Sequence, residues 1–434
     1  MRSYLSDAGA VFAANIVSTL AGLATQSLLA WLLLPAGRGE YGACMLFVVF
    51  LTLFCTLGQE MANVYFVGSK QITPSQALTQ SLLIGLAVSA IACSIGYILT
   101  LGSFQFLEKA PPSTYRIALL CIPPMVFNSY LNGIFLGMGA MSTYTYLVAA
   151  PTAAGAVGIG IVGFLRPEVN AIVPVHAICD MLATIAAVIV LRRRFGCRFG
   201  RLDWSCLKMS LSYGARFYLG KLFSMANVQV GNLMLLLSPV GRADIGLFSA
   251  ASAMAGRLWL LPDTLHVAIL PRSTSNPEGR SRFVAQVARL SFGCTAILLL
   301  VVLFMSKPLI AIILSPRFLP VLNPFRILLP GVLVRVVPKI LTAYFAGIGR
   351  PGINSLAIAA SVAANIALML LFLPRWGLSG IALAMSLAYT LEAAILAVMF
   401  FRFTGIRPLD LVRPSKKDVE LLRTTLARWL PFLR

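Results

Sequence analysis

The chain has 434 residues, 59% of them hydrophobic and only 11% charged, with a mean hydropathy of +0.88. A soluble domain carries about 25% charged residues, so the composition excludes an ordinary soluble protein and indicates a polytopic membrane protein. The net charge of +21 comes from 35 Lys and Arg against 14 Asp and Glu. No aromatic-interleaved basic module accompanies it, which argues against nucleic acid as a partner and for the Lys and Arg bias of cytoplasmic loops.

Crossing the hydrocarbon takes about 20 apolar residues. Twelve stretches meet that measure: 8–34, 42–66, 75–101, 115–138, 143–165, 171–191, 210–237, 245–270, 283–305, 324–347, 352–373 and 378–401. The first is too long for a signal-peptide core and reads as a retained helix. The segment 309–325, broken by Pro316, Pro320 and Pro324, is too short to span and reads as interfacial or re-entrant. At the C-terminal end, Val419, Leu422, Leu426, Leu430 and Leu433 recur at helical spacing among Lys and Arg, behind Ser415 and Asp418. That pattern predicts an amphipathic helix on the membrane surface.

Basic residues set the orientation. With the N-terminus inside, alternate loops hold 20 Lys and Arg inside against 9 outside. Both termini are therefore expected in the cytoplasm. The eight cysteines are scattered, mostly in apolar runs and with no metal-ligand spacing, and read as small buried hydrophobes. No cofactor or metal is expected.

One short stretch is written twice. Gly37-Arg38-Gly39-Glu40-Tyr41-Gly42 lies over Gly241-Arg242-Ala243-Asp244-Ile245-Gly246 at an offset of 204. At an offset of 210, Arg116-Ile117 lies over Arg326-Ile327, and "FLGMGAM" (135–141) over "FAGIGRP" (345–351). The expected fold is therefore an all-α integral membrane protein with twelve transmembrane helices in two six-helix lobes, related by an internal parallel repeat. Its parts are an N-lobe over 1–195, a basic cytoplasmic loop over 196–208, a C-lobe over 209–402 and a basic tail over 403–434. Such repeats are a transporter architecture, with substrate held between the halves. The paired glycines read as tight turns between helices, and Arg38 and Glu40 as interfacial charges exposed to water.

A first span ending in "LLPAGRGEYG", two six-helix halves and an "FxGxG" turn in each half resemble the polysaccharide-transporter branch of the MOP flippase superfamily, which includes Wzx-type O-antigen flippases. The resemblance covers the whole chain and rests on pattern rather than a strict motif. It implies movement of an undecaprenyl-pyrophosphate-linked oligosaccharide from the cytoplasmic to the periplasmic leaflet by alternating access. It also implies as partners the lipid-linked oligosaccharide, membrane lipids and a polysaccharide polymerase or biosynthesis complex.

A mid-membrane Arg or Lys costs about 2.5–3.5 kcal/mol and turns toward a cavity or a partner. Lys221, Arg257, Arg335 and Lys339 sit near mid-depth of their spans, and all four belong to the second half. Arg216 lies nearer an end and can snorkel. Arg335, Lys339 and Thr342 share one helix face, as do Lys221, Ser224 and Asn232. Arg216, Lys221, Arg257, Arg335 and Lys339 are therefore the expected substrate-binding set, a cationic cavity for a pyrophosphate. Structural pairing with acids is the alternative. Glu60, Asp180 and Asp263 are candidates for coupling to a proton or sodium gradient; Glu392 is a further acid within a span. His176 and His266 read as hydrogen-bonded packing residues.

Two other functions compete. A multidrug exporter of the same superfamily would need an acidic cavity for organic cations, and the basic interior argues against it. A membrane-embedded polysaccharide polymerase would need paired carboxylates or a large catalytic loop, and no loop exceeds about twenty residues.

Overall fold

The structure is a computed structural model that describes residues 2–102, 104–200, 203–259 and 280–413. Asp263, His266, the second half of the expected eighth span and the expected surface helix of the tail lie outside the described residues.

Every regular element among the described residues is helical. In chain order the helices are α1 (Arg2–Cys55), α2 (Gln59–Gly68), α3 (Pro74–Leu99), α4 (Pro112–Ala118), α5 (Ile122–Gly137), α6 (Met141–Leu165), α7 (Val169–Arg193), α8 (Trp204–Leu237), α9 (Arg242–Arg257), α10 (Arg280–Phe304), α11 (Ser306–Ile313), α12 (Leu322–Val334), α13 (Val336–Gly347) and α14 (Pro351–Thr404). Among the described residues, eight helical stretches are long and apolar enough to cross a membrane, and the chain is a multi-pass membrane protein.

The breaks in the long helices follow from proline and glycine. At 54 residues, α1 and α14 would each be about 80 Å long if straight, against roughly 30 Å of hydrocarbon. Neither is straight. α1 breaks at Leu34 (φ 60, ψ 174), directly before Pro35, which disfavours helix in the preceding residue. α14 breaks at Gly377, three residues after Pro374. These breaks fall between the first and second, and the eleventh and twelfth, apolar stretches of the sequence. The proline-broken segment 309–325 contains the short α11 and a 3₁₀ turn over Pro316–Val321.

Helix ends recur at the spacing of the sequence repeat. The stretches Pro112–Gly137 and Leu322–Gly347 begin and end 210 residues apart, as do the starts of α6 and α14. The "FxGxG" glycines explain the shared stop. Gly139 and Gly349 both adopt a left-handed backbone, φ 71 and φ 73. In each, the next residue donates back to the phenylalanine carbonyl, Ala140 to Phe135 and Arg350 to Phe345, both at 2.9 Å. This is the six-to-one bond of a glycine-terminated helix, and only glycine takes that backbone without strain.

The chain divides into two compact units. One comprises Met1–Leu222, Leu235–Ala250 and Ile313–Phe318; the other Phe223–Met234, Ala251–Ile312 and Leu319–Arg434. The first is built on fully buried side chains such as Leu29, Val48, Tyr115 and Tyr130, with a second cluster around Leu78 and Phe135. The core of the second gathers Val284, Ile340, Phe345 and Phe400.

The first unit corrects two expectations about the repeated stretch. Gly37, Gly39 and Gly42 lie within helix, and the turn falls at Leu34 instead. Arg38 is not exposed to water: it is 4% exposed, donates to the Gln26 side-chain carbonyl and sits over the Tyr41 ring. The glycines serve close helix packing, which brings the arginine's helix inside the protein.

Candidate functional site

The candidate site lies in the second unit and is set by a proline. Pro338 has no N–H to give Val334, so the helix of residues 322–347 is interrupted there and α12 ends as α13 begins. Arg335 stands at this joint, with Lys339 one turn later; the bond from the Lys339 nitrogen to the Arg335 carbonyl survives at 3.2 Å. Ser386 on α14 donates to the Ile327 carbonyl at 2.7 Å, docking α14 on α12. That docking brings Tyr389 and Glu392, one turn apart on α14, to the joint.

Arg335 is only 8% exposed. Its guanidinium carbon lies 4.6 Å from the Trp259 ring centroid and 4.4 Å from that of Tyr389. The two rings meet edge to face, with centroids 5.9 Å apart. The Trp259 indole N–H donates to the Val332 carbonyl at 3.3 Å, which fixes that wall. The Lys339 ammonium lies 4.9 Å from the same indole ring. Cation–π contacts of this kind contribute about 0.5–2 kcal/mol each. The buried Arg335 Nη1 has no hydrogen-bond partner among the described residues.

One acid completes the cluster. Glu392 is 3% exposed, accepts a 3.0 Å bond from the Asn227 amide on α8, and lies within electrostatic reach of Arg335 and Lys339. Among the described residues, Arg335, Lys339 and Glu392 thus form one charged cluster beside Trp259 and Tyr389. A planar guanidinium with one buried, unpartnered nitrogen beside an ammonium suits a phosphate or carboxylate group.

The other residues singled out in the sequence stand as follows. Arg257 ends α9 and is exposed, two residues before Trp259. Arg216 and Lys221 belong to α8; their side chains are not among those described. Glu60, half-buried on α2, accepts from the Ser129 hydroxyl at 2.9 Å. Asp180 is half-buried on α7, its backbone carbonyl taking bonds from Asn128 and Thr184. His176 hydrogen-bonds the Tyr41 hydroxyl at 2.7 Å, a packing contact of the kind expected. The structure therefore gathers Arg335 and Lys339 and adds Trp259, Tyr389, Asn227 and Glu392. The last two were visible as polar residues in apolar spans, whereas nothing in the sequence marked the two aromatics as walls of a cation site.

The fold has well-defined relatives. The chain is similar to the lipid II flippase MurJ in an inward closed conformation: TM-score 0.74 at 15% identity, covering 92% of this chain and 88% of that one. It is similar to the eukaryotic MATE transporter AtDTX14, TM-score 0.63 at 14% identity, covering 94% and 98%. It also resembles a MOP superfamily transporter from Pyrococcus furiosus, TM-score 0.60 at 14% identity, covering 93% and 95%. No curated protein sequence matches the chain. The family model described as "Polysaccharide biosynthesis protein" matches residues 4–271, more than half of the length. The chain belongs to the polysaccharide biosynthesis protein family.

Proposed function

We propose that the protein is a flippase that carries an undecaprenyl-pyrophosphate-linked oligosaccharide from the cytoplasmic to the periplasmic leaflet of a bacterial inner membrane by alternating access. The observation that carries this reading is the buried Arg335 guanidinium, held between Trp259 and Tyr389 with Lys339 beside it. Such a site takes the pyrophosphate, the one part common to every substrate of this class, and leaves the sugar to less specific contacts. Arg216, Lys221 and Arg257 are the further cations of the set. Twelve spans in two six-helix halves, with both termini cytoplasmic, are supported by helix ends recurring at an offset of 210 and by the excess of basic residues in alternate loops. The family supports a lipid-linked glycan as cargo and a polysaccharide biosynthesis complex as its setting.

The test is deletion followed by complementation. Loss of the gene should leave lipid-linked glycan on the cytoplasmic side, and wild type but not Arg335→Ala should clear it. Unimpaired glycan display in the deletion strain, or a changed susceptibility to organic cations, would favour an exporter instead.

A further inference from the structure

One face of α3 is covered by lipid. Leu86, Ile91, Ile95 and Ile98 are all exposed on it, and a membrane span turns such apolar residues to the lipid tails. Beside that stripe the fold opens a groove, and two prolines are the cause. Pro123 and Pro124 have no N–H to give the Leu119 and Leu120 carbonyls, so the chain tightens to a 3₁₀ turn over Leu119–Cys121 before α5 begins. The Leu119 carbonyl accepts instead from the Cys93 thiol on α3, at 3.6 Å. Gly96 lets the turn come that close, since a Cβ there would run into the Leu119 side chain. Cys93, Ser94, Tyr97, Ile98 and Leu119 then line an open groove of about 490 Å³, within the roughly 300–1,000 Å³ of small-ligand clefts.

A fixed charge stands beside the groove. Tyr97, one of its walls, lies under the Arg116 guanidinium, whose carbon is 5.3 Å from the ring centroid. The Arg116 Nε donates to the Thr100 hydroxyl at 3.2 Å, and that hydroxyl donates in turn to the Tyr97 carbonyl at 2.7 Å. Arg116 is exposed, and among the described residues only its Nε is engaged in a hydrogen bond, which leaves both terminal nitrogens for a ligand. The second half repeats the tether 210 residues on. The Nε of the exposed Arg326 donates to the Ser306 hydroxyl at 2.9 Å, and that hydroxyl donates to the Leu303 carbonyl at 2.7 Å. Holding an exposed arginine by its Nε is thus a property of the repeated unit.

We propose that Arg116 and the α3 groove form a site for one membrane phospholipid: the terminal guanidinium nitrogens take the phosphodiester oxygens, and an acyl chain lies along Cys93, Ser94, Tyr97, Ile98 and Leu119. A guanidinium fork suits two-point contact with a phosphate, and a tyrosine under it belongs at headgroup level. Apolar groove and neighbouring cation together match an amphiphile with one anionic end. Bilayer phospholipid reaches the groove directly, because Ser94, Tyr97 and Ile98 are exposed on the lipid-facing side of α3. The site requires nothing of Arg335 or of the cargo.

The experiment is photolabelling of the purified full-length protein in detergent with a phosphatidylglycerol that carries a diazirine in one acyl chain, mapped by peptide mass spectrometry. Labelling of the groove residues should saturate, and unlabelled phosphatidylglycerol should compete it away. Arg116→Gln should raise the half-saturating concentration about tenfold or more, the loss expected of a charge-assisted phosphate contact. A diazirine diacylglycerol of the same chains, lacking the phosphate, should need a similarly raised concentration and label wild type and Arg116→Gln equally. Ser94→Trp, which fills the groove from an exposed position, should abolish saturable labelling with Arg116 intact. Unsaturable labelling spread over Leu86 and Ile91 as much as the groove would mean annular lipid only and overturn the site. Equal half-saturation in wild type and Arg116→Gln overturns the role of the arginine, and unchanged labelling in Ser94→Trp that of the groove. Stronger competition by a prenyl-pyrophosphoryl-glucose than by phosphatidylglycerol would give the groove to cargo lipid and overturn a phospholipid site.

Discussion

Gly39 and Gly246 pack backbone to backbone within the first unit. A Cβ on Gly39 would run into the Arg242 carbonyl and sit 3.1 Å from the Gly246 nitrogen; one on Gly246 would run into the Pro35 carbonyl and lie 2.7 Å from the Gly39 nitrogen. The two copies of the repeated stretch therefore touch each other. Polar contacts reinforce the seam: Glu40 lies 3.9 Å from Arg242, and Lys109 donates to the Ser238 and Val240 carbonyls at 2.9 and 2.7 Å.

Alanine at either glycine should force these helices apart. Overpacking of this kind costs about 1–3 kcal/mol. Gly39→Ala and Gly246→Ala should each lower the thermal midpoint in detergent. Gly293→Ala is the control: among the described residues no neighbouring atom outside its own helix turn lies within 4 Å of its Cβ position, so the helix should gain about 0.5–1 kcal/mol. Equal midpoints for all three would show that the seam is not close-packed.

Arg38 makes a second stability prediction. A solvated arginine can be replaced within about ±0.5 kcal/mol. Buried against Gln26 and Tyr41, Arg38 should cost about 1–3 kcal/mol on truncation to Ala, because the Gln26 carbonyl loses its donor and the packing is lost. Lys should not restore it, being unable to lay a planar group over the ring. Thermal unfolding of Arg38→Ala and Arg38→Lys checks both statements.

The sequence was most legible where local chemistry decides structure. The "FxGxG" turns could be read because a left-handed glycine is a local demand, and both copies end their helices 210 residues apart. Arg335 and Lys339 were legible because a cation in an apolar run must be accounted for. Trp259 and Tyr389 were not: an aromatic in a membrane span is ordinary, and only the docking of α14 on α12 and the indole bond to Val332 bring these two to one guanidinium. Arg38 was misread for a related reason. Its neighbouring glycines suggested a loop, whereas they are what lets another helix close over it.

The start of α8 gives a pH prediction outside the spans. Asp203 caps it, its carboxylate accepting from the Cys206 thiol at 3.2 Å and from the Cys206 and Ser205 amides at 3.3 and 2.9 Å. The thiol bond first and the amide bonds next hold this carboxyl below its ordinary 3.8. A depressed carboxylate contributes order that is fully present above its unfolded-state value and lost as pH falls through its folded-state value. Exchange of the Ser205 and Cys206 amides, corrected for the intrinsic pH dependence, should accelerate below about pH 4 in wild type. In Asp203→Asn the protection should be independent of pH; acceleration identical to wild type would remove Asp203 as the cause.

The aromatic cage makes the sharpest functional prediction. If Trp259 and Tyr389 hold the Arg335 guanidinium so that its N–H edge faces a phosphate, both the shape and the charge of the cation matter. Arg335→Lys keeps the charge but loses the planar fork, and transport should fall about tenfold, the equivalent of roughly 1.4 kcal/mol. Trp259→Phe keeps a ring face but loses the indole bond to Val332 and should fall less. Trp259→Ala removes the wall and about 0.5–2 kcal/mol of cation–π attraction, so it should lose about 2- to 30-fold. Clearance of lipid-linked glycan from the cytoplasmic side, normalised to the amount of folded protein, ranks the variants. The expected order is wild type, Trp259→Phe, then Trp259→Ala and Arg335→Lys, with Arg335→Ala lowest. Arg335→Lys at wild-type level would mean that the site reads charge alone, and the cage would then be packing rather than orientation.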